Sequence, residues 1–123
     1  MTSTPTIEIL LKKWIEAFNE HDLDKHMELY TEDALLFGSV DVLQNGRNAV
    51  RGYFAAVGPS VQVKSYPMPV VKMISENVAV TAGFVDFADE SAVTPFRMTW
   101  TLVRENGNWH ISQHHGSPCK SDH

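Results

Sequence analysis

The chain has 123 residues, 43% of them hydrophobic and 20% charged, with a formal net charge of −5. That is material for one domain spanning residues 1–123, burying roughly two-thirds of its unfolded surface without a metal or disulfide staple. The ten Lys and Arg are scattered, the nearest to a basic run being Lys12-Lys13, so nothing resembles a nucleic-acid-binding stripe. No apolar run approaches the ~20 residues of a membrane span.

The segment Met1–Pro5 reads as a loose arm without the basic start and apolar centre of a secretory signal, and the expected location is the cytoplasm. From Ile7 the apolar residues Ile7, Leu10, Leu11, Trp14, Ile15 and Phe18 recur every three or four positions and predict one face of a helix. Thr4 or Thr6 caps its start and Pro5 suits its first turn. Asn19-Glu20-His21 breaks it. Asp22 caps a second, shorter helix with Leu23, His26, Met27 and Tyr30 on its apolar side.

After Thr31-Glu32-Asp33 the pattern changes to strand. Ala34–Phe37 reads as one short strand, Gly38-Ser39 as a turn and Val40–Leu43 as its partner. Gln44-Asn45-Gly46 is turn chemistry, and Asn45 or Asn48 caps a third helix through about Val57, with Val50, Tyr53, Phe54 and Val57 inward. Gly58-Pro59 ends it. The rest is strand: Val61 to about Ile74, bulged or at an edge where Pro67 and Pro69 cannot donate to a ladder, then Val78–Ala88 and Phe96–Arg104. Asn106-Gly107 makes a tight turn into Trp109–His115. Helices first and an antiparallel meander afterwards is an α+β layer pattern, and long strands bent by Pro67, Pro69 and Gly83 curl around the helices into a cone.

Alternation along the last strand groups Trp109, Ile111, Gln113 and His115 on one face. Since Trp109 and Ile111 are apolar, that face is expected to point toward the helices. Gln113 and His115, ~7 Å apart, then become a polar anchor inside an aromatic cavity, with His114 outside. His115 is the candidate acid or base because its ordinary pKa lies near ~6.5. Trp14, Tyr30, Tyr53 and Trp100 are the expected ligand-binding walls, the last three because each pairs an apolar body with a polar handle. Asp86 and Arg97, on neighbouring strands, are expected as a surface ion pair, or as an acid and an anion anchor if both turn inward.

Six histidines raise the question of a metal. His114 and His115 are adjacent on a strand and point to opposite faces, and neither a His-x-His with a carboxylate nor a Cys pair is present. No metal and no cofactor is therefore expected. Cys119 has no partner for an internal disulfide and sits in a terminal segment, 118–123, read as loose. On the outer sheet face Val80, Phe84, Thr99, Thr101 and Val103 are too apolar to be left open to water, which predicts a homodimer.

Two stretches carry a family likeness. One is Trp14-Ile15-Glu16-Ala17-Phe18-Asn19-Glu20-His21-Asp22-Leu23-Asp24, followed by Leu29-Tyr30-Thr31-Glu32-Asp33-Ala34; the other runs from Phe96 through Trp109 to His114-His115-Gly116-Ser117-Pro118. They resemble the nuclear-transport-factor-2-like superfamily, in particular its SnoaL-like group (the SgcJ/EcaC branch), and are also similar to the calcium/calmodulin-dependent kinase II association domain. The resemblance implies a cone-shaped, cystatin-like fold of three N-terminal helices on a strongly curved, mainly antiparallel sheet. It also implies one internal pocket and a dimer through the outer sheet face.

Relatives resembling ketosteroid isomerase place a tyrosine acid where this chain has Trp14, and a carboxylate base where it has Leu36-Phe37-Gly38-Ser39. The association domain places arginines where it has Val85, Trp100 and Gly116. What remains is an expectation of a small apolar or cyclic ligand. The alternatives are a polyketide-cyclase or isomerase-type enzyme using His115, and an assembly module.

Overall fold

The computed structural model describes residues 4–120. Helix α1 (Thr4–Glu20) buries Ile7, Leu10, Leu11, Trp14, Ile15 and Phe18, the stripe that the spacing predicts. It stops where His21 takes a left-handed backbone (φ 54°), a conformation that costs a non-glycine residue but turns the chain at once. Asp22 then caps α2 (Leu23–Met27), its carboxylate accepting from the Lys25 backbone N–H at 3.1 Å. Helix α3 (Arg47–Ala55) has no side-chain cap; Gly46, at φ 96°, opens it instead of Asn45 or Asn48. That positive φ lets the chain leave the sheet edge and enter the helix in one residue.

Strand β1 (Tyr30–Phe37) starts at Tyr30, earlier than the sequence pattern predicts. Its expected hairpin partner does not form: residues 38–43 are a bend, and β2 (Gln44–Asn45) makes the short antiparallel pair. The expected strand from Val61 to Ile74 is two, β3 (Gln62–Ser65) and β4 (Val70–Ser75), separated by the Pro67 and Pro69 segment. Both pair with β5 (Val78–Ala88). Gly83 on β5 admits Pro69 there, since a Cβ at Gly83 would lie 2.9 Å from the Pro69 ring.

Strands β6 (Val93–Glu105) and β7 (Asn108–Pro118) complete a seven-stranded sheet of order β2-β1-β7-β6-β5-β3, antiparallel except for the parallel β1–β7 pair. Pro118, expected in a loose tail, ends β7, and the Cys119 N–H donates to the Pro95 carbonyl at 2.9 Å. Residues 1–3 and 121–123 lie outside the described residues. The helices cover one face of this curved α+β sheet, and the core between the two layers is mostly aliphatic around a cluster of aromatic rings. No described helix is long and apolar enough to cross a membrane.

One irregularity decides the site. Along β6 and β7 the register runs Leu102 opposite Ile111 and then Thr101 opposite Gln113, so Ser112 is an extra residue. A bulge of this kind shifts the phase of every side chain beyond it. Trp109 and Ile111 face the helices as expected. Past Ser112 the inward residues are His114 and Gly116, and Gln113 and His115 face outward.

Candidate ligand-binding site

The expectation that Gln113 and His115 anchor a ligand inside the cone is therefore corrected. Gln113 sits on the outer face, where its Oε1 accepts from the Thr101 hydroxyl at 3.4 Å. His115 is exposed, its ring 6.2 Å from Phe37. Its role as acid or base inside the cone loses its geometric basis. His114, read from the sequence as outward, is 3% exposed and lies among Trp14, Tyr30, Phe54 and Trp100.

Trp14 and Tyr30 are both 0% exposed and form a chain of hydrogen bonds with His114. The Trp14 indole N–H donates to the Tyr30 hydroxyl at 2.8 Å, and that hydroxyl lies 3.0 Å from His114 Nδ1. An indole only donates, so the Tyr30 oxygen accepts there. That oxygen could accept a second time, but its own buried proton has no other partner among the described residues, so the arrangement that satisfies all three groups leaves Nδ1 bare and the neutral ring's proton on Nε2. Burial, with smaller contributions from His26 and His115, pulls the His114 pKa down to about 3. Burial likewise pushes the Tyr30 hydroxyl well above its ordinary range. Both groups are neutral near neutral pH.

On the Nε2 side lies a hollow of about 30 Å³, walled by Trp14, Leu36, Tyr53, Phe54, Phe87, Phe96, Met98 and Gly116. Gly116 matters because a Cβ there would stand 3.6 Å from His114 Nε2, in the space the bare glycine leaves open. Tyr53, Phe54, Phe87 and Phe96 also wall a larger, open cleft of about 370 Å³, reaching Phe18, Val61, Thr94 and Pro118. That volume falls within the ~300–1,000 Å³ range of small-molecule sites. The Tyr53 ring borders both spaces. Its hydroxyl accepts from the Ser39 backbone N–H at 2.9 Å and lies 3.1 Å from the Ser39 hydroxyl.

Trp100 is inward and buried, but it lines a separate small cavity beside Pro67 and Pro69, and its Nε1 is sealed without a partner among the described residues. His26, on α2, is 2% exposed, meets Trp14 edge-on at 5.0 Å, and has its pKa lowered by burial to about 4. Asp86 and Arg97 do not pair. Both are on the outer face, where Asp86 accepts from the Ser65 hydroxyl at 2.9 Å and Arg97 reaches the Pro118 carbonyl at 3.5 Å. Among the described residues no group of three His, Cys, Asp or Glu side chains is placed to hold a metal ion. The alternation reading missed His114, whereas the resemblance matches Gly116 to a position that the association domain fills with an arginine. The phase shift that turns both inward lies in the pairing of β6 with β7.

Helices laid on one face of a curved sheet, with an aromatic pocket in the hollow, define a nuclear-transport-factor-2-like domain of cystatin-like fold. The chain belongs to the SnoaL-like domain family, whose profile matches residues 7–120. No curated protein matches it in sequence. Among solved structures it is similar to a ketosteroid isomerase-like protein from Erwinia carotovora atroseptica, at TM-score 0.85 and 17% identity over 97% of this chain and 98% of that one. A protein of unknown function from Shewanella oneidensis superposes at TM-score 0.82 with 24% identity, covering 94% and 99%. A putative calcium/calmodulin-dependent protein kinase II association domain from Xanthomonas campestris gives 0.81 and 20%, covering 94% and 87%. At such low identity these likenesses carry the fold alone.

Proposed function

We propose that this domain is a cytoplasmic homodimeric binder of a small apolar or cyclic molecule, held in the cleft and reaching inward past Tyr53. The observation that carries the reading is an aromatic cleft that shares the walls Tyr53, Phe54, Phe87 and Phe96 with a small hollow bordered by the His114 imidazole. No carboxylate walls that hollow, and the one that borders the cleft, Asp89, accepts from Ser91 and Ala92. A histidine whose basicity is so far reduced suits hydrogen bonding rather than proton transfer near neutral pH. Binding is thus better supported than cyclase or isomerase chemistry. For the dimer, Val80, Phe84, Thr101 and Val103 share the outer sheet face with exposed Leu35 and Phe37, a mixed apolar surface suited to an isologous contact.

Two measurements test this. A panel of bicyclic aromatic and terpenoid compounds is expected to contain members that quench tryptophan fluorescence and raise Tm by a few degrees, and Phe96→Trp, which fills the cleft, abolishes both effects. No response from any compound removes the pocket reading. Sedimentation of the wild type is expected to give a dimer and of Thr101→Arg a monomer, whereas a ring of ten or more subunits replaces the dimer with an assembly module.

A further inference from the structure

Resting on that pocket reading, we propose that the site selects ligands that project one hydrogen-bond acceptor, above all a carbonyl oxygen, from an apolar body onto the Nε2–H of His114. The argument begins with the direction of the hydrogen-bond chain. Trp14 has only a donor to give, so Tyr30 accepts from it, and the buried Tyr30 proton has only His114 Nδ1 to go to among the described residues; His114 then keeps its lone pair toward Tyr30 and its proton toward the hollow. All three side chains are buried, so no solvent competes to reverse the order. A ligand donor arriving at Nε2 would meet another donor. An acceptor would complete the chain.

The surroundings narrow the choice further. Leu36, Phe54, Phe87, Phe96 and Met98 bring only apolar side chains to the other walls, and Gly38 and Gly116 bring none, so His114 is the polar side chain open to a ligand there. Tyr53 also borders the space, but its hydroxyl is engaged by Ser39. A hollow of about 30 Å³ admits an oxygen or a water molecule and not a ring. The apolar body has to remain in the cleft of about 370 Å³, with the acceptor as its leading atom. Gly116 is what keeps that last step open. An added Cβ would meet His114 Nε2 and Met98 at 3.6 Å and Phe96 at 3.7 Å, ordinary contact distances, so alanine fills the recess without disturbing the fold.

The test compares 2-acetylnaphthalene with 2-isopropenylnaphthalene, which differ in having a C=O or a C=CH2 in the same shape. Wild-type protein is expected to bind the ketone at least about fivefold tighter, the range one hydrogen bond supplies. Gly116→Ala lowers ketone affinity, and Tyr30→Phe, which releases the tautomer, brings the ratio toward one. Nitrogen-15 NMR of the wild-type protein is expected to show His114 protonated at Nε2 and bare at Nδ1 at pH 7. Equal binding of the two probes overturns the acceptor preference and leaves the pocket standing, as does ketone binding mediated by a water that accepts donor ligands equally well. Binding of neither removes the pocket reading and this inference with it. A proton on Nδ1 overturns the inference whatever the probes do, and that measurement requires no variant to fold.

Discussion

His114 and His115 are chemically identical neighbours in the sequence with opposite environments. One is sealed among Trp14, Tyr30 and Trp100 with its Nδ1 claimed by a hydroxyl; the other stands on the outer face beside Phe37. The two faces of a strand differ by one residue of phase, and Ser112 supplies that residue. A side chain's chemistry here is thus decided by a backbone insertion two positions before it.

Acid should expose the contrast most strongly. Folding lowers the pKa of His114 to about 3 and of His26 to about 4, from an ordinary 6.5. The neutral forms are favoured in the folded state, so this destabilising linkage is absent above about pH 6.5. As pH falls through 6.5 the unfolded chain takes up the protons first. Stability is then expected to drop by about 1 kcal/mol per pH unit for each histidine, until the folded state itself protonates near pH 4 and below. Urea midpoints measured from pH 7.5 to 4.5 check this, and His114→Gln should reduce the slope by about half.

Truncation should separate the neighbours next. His114→Ala opens a cavity and strips Tyr30 of its acceptor, with an expected loss of about 3 kcal/mol in chemical denaturation. Tyr30→Phe keeps the shape but leaves the Trp14 N–H and the His114 lone pair unpartnered, for an expected loss of about 1 to 2 kcal/mol. His115→Ala is expected to change stability by less than about 0.5 kcal/mol in the same assay, the usual range for a surface position. A larger His115 effect on the isolated protomer would contradict the outward placement.

Much of the architecture was legible because it rests on repeated local signals. The stripe from Ile7 to Phe18, the Asp22 cap and the Asn106-Gly107 turn each report local physics that the tertiary fold keeps. Alternation also placed β5 and β6 correctly, with Thr101 outward and Trp100 inward. Val40–Leu43 failed because apolar content alone does not make a strand. Parallel pairing with β7 claims one side of β1, and on the other only Gln44 and Asn45 pair with it. Gln113 and His115 failed for a different reason. A bulge depends on how two strands meet, so alternation read from one strand cannot reveal it. Trp14 and Tyr30 were expected as wall residues, Tyr30 for its polar handle, yet their polar atoms serve each other and His114 rather than the open cleft.

The Tyr53 ring borders both the cleft and the hollow, and Ser39 fastens its hydroxyl while Gly38 leaves just enough room for the ring beside the 38–43 bend. A molecule that reached the floor past that ring would have to swing it aside, which unfastens the bend. Capture speed would then follow how often the bend lets go, and residence would follow what waits beneath. Ser39→Ala would make arrivals and departures faster together, with the equilibrium between them nearly unmoved.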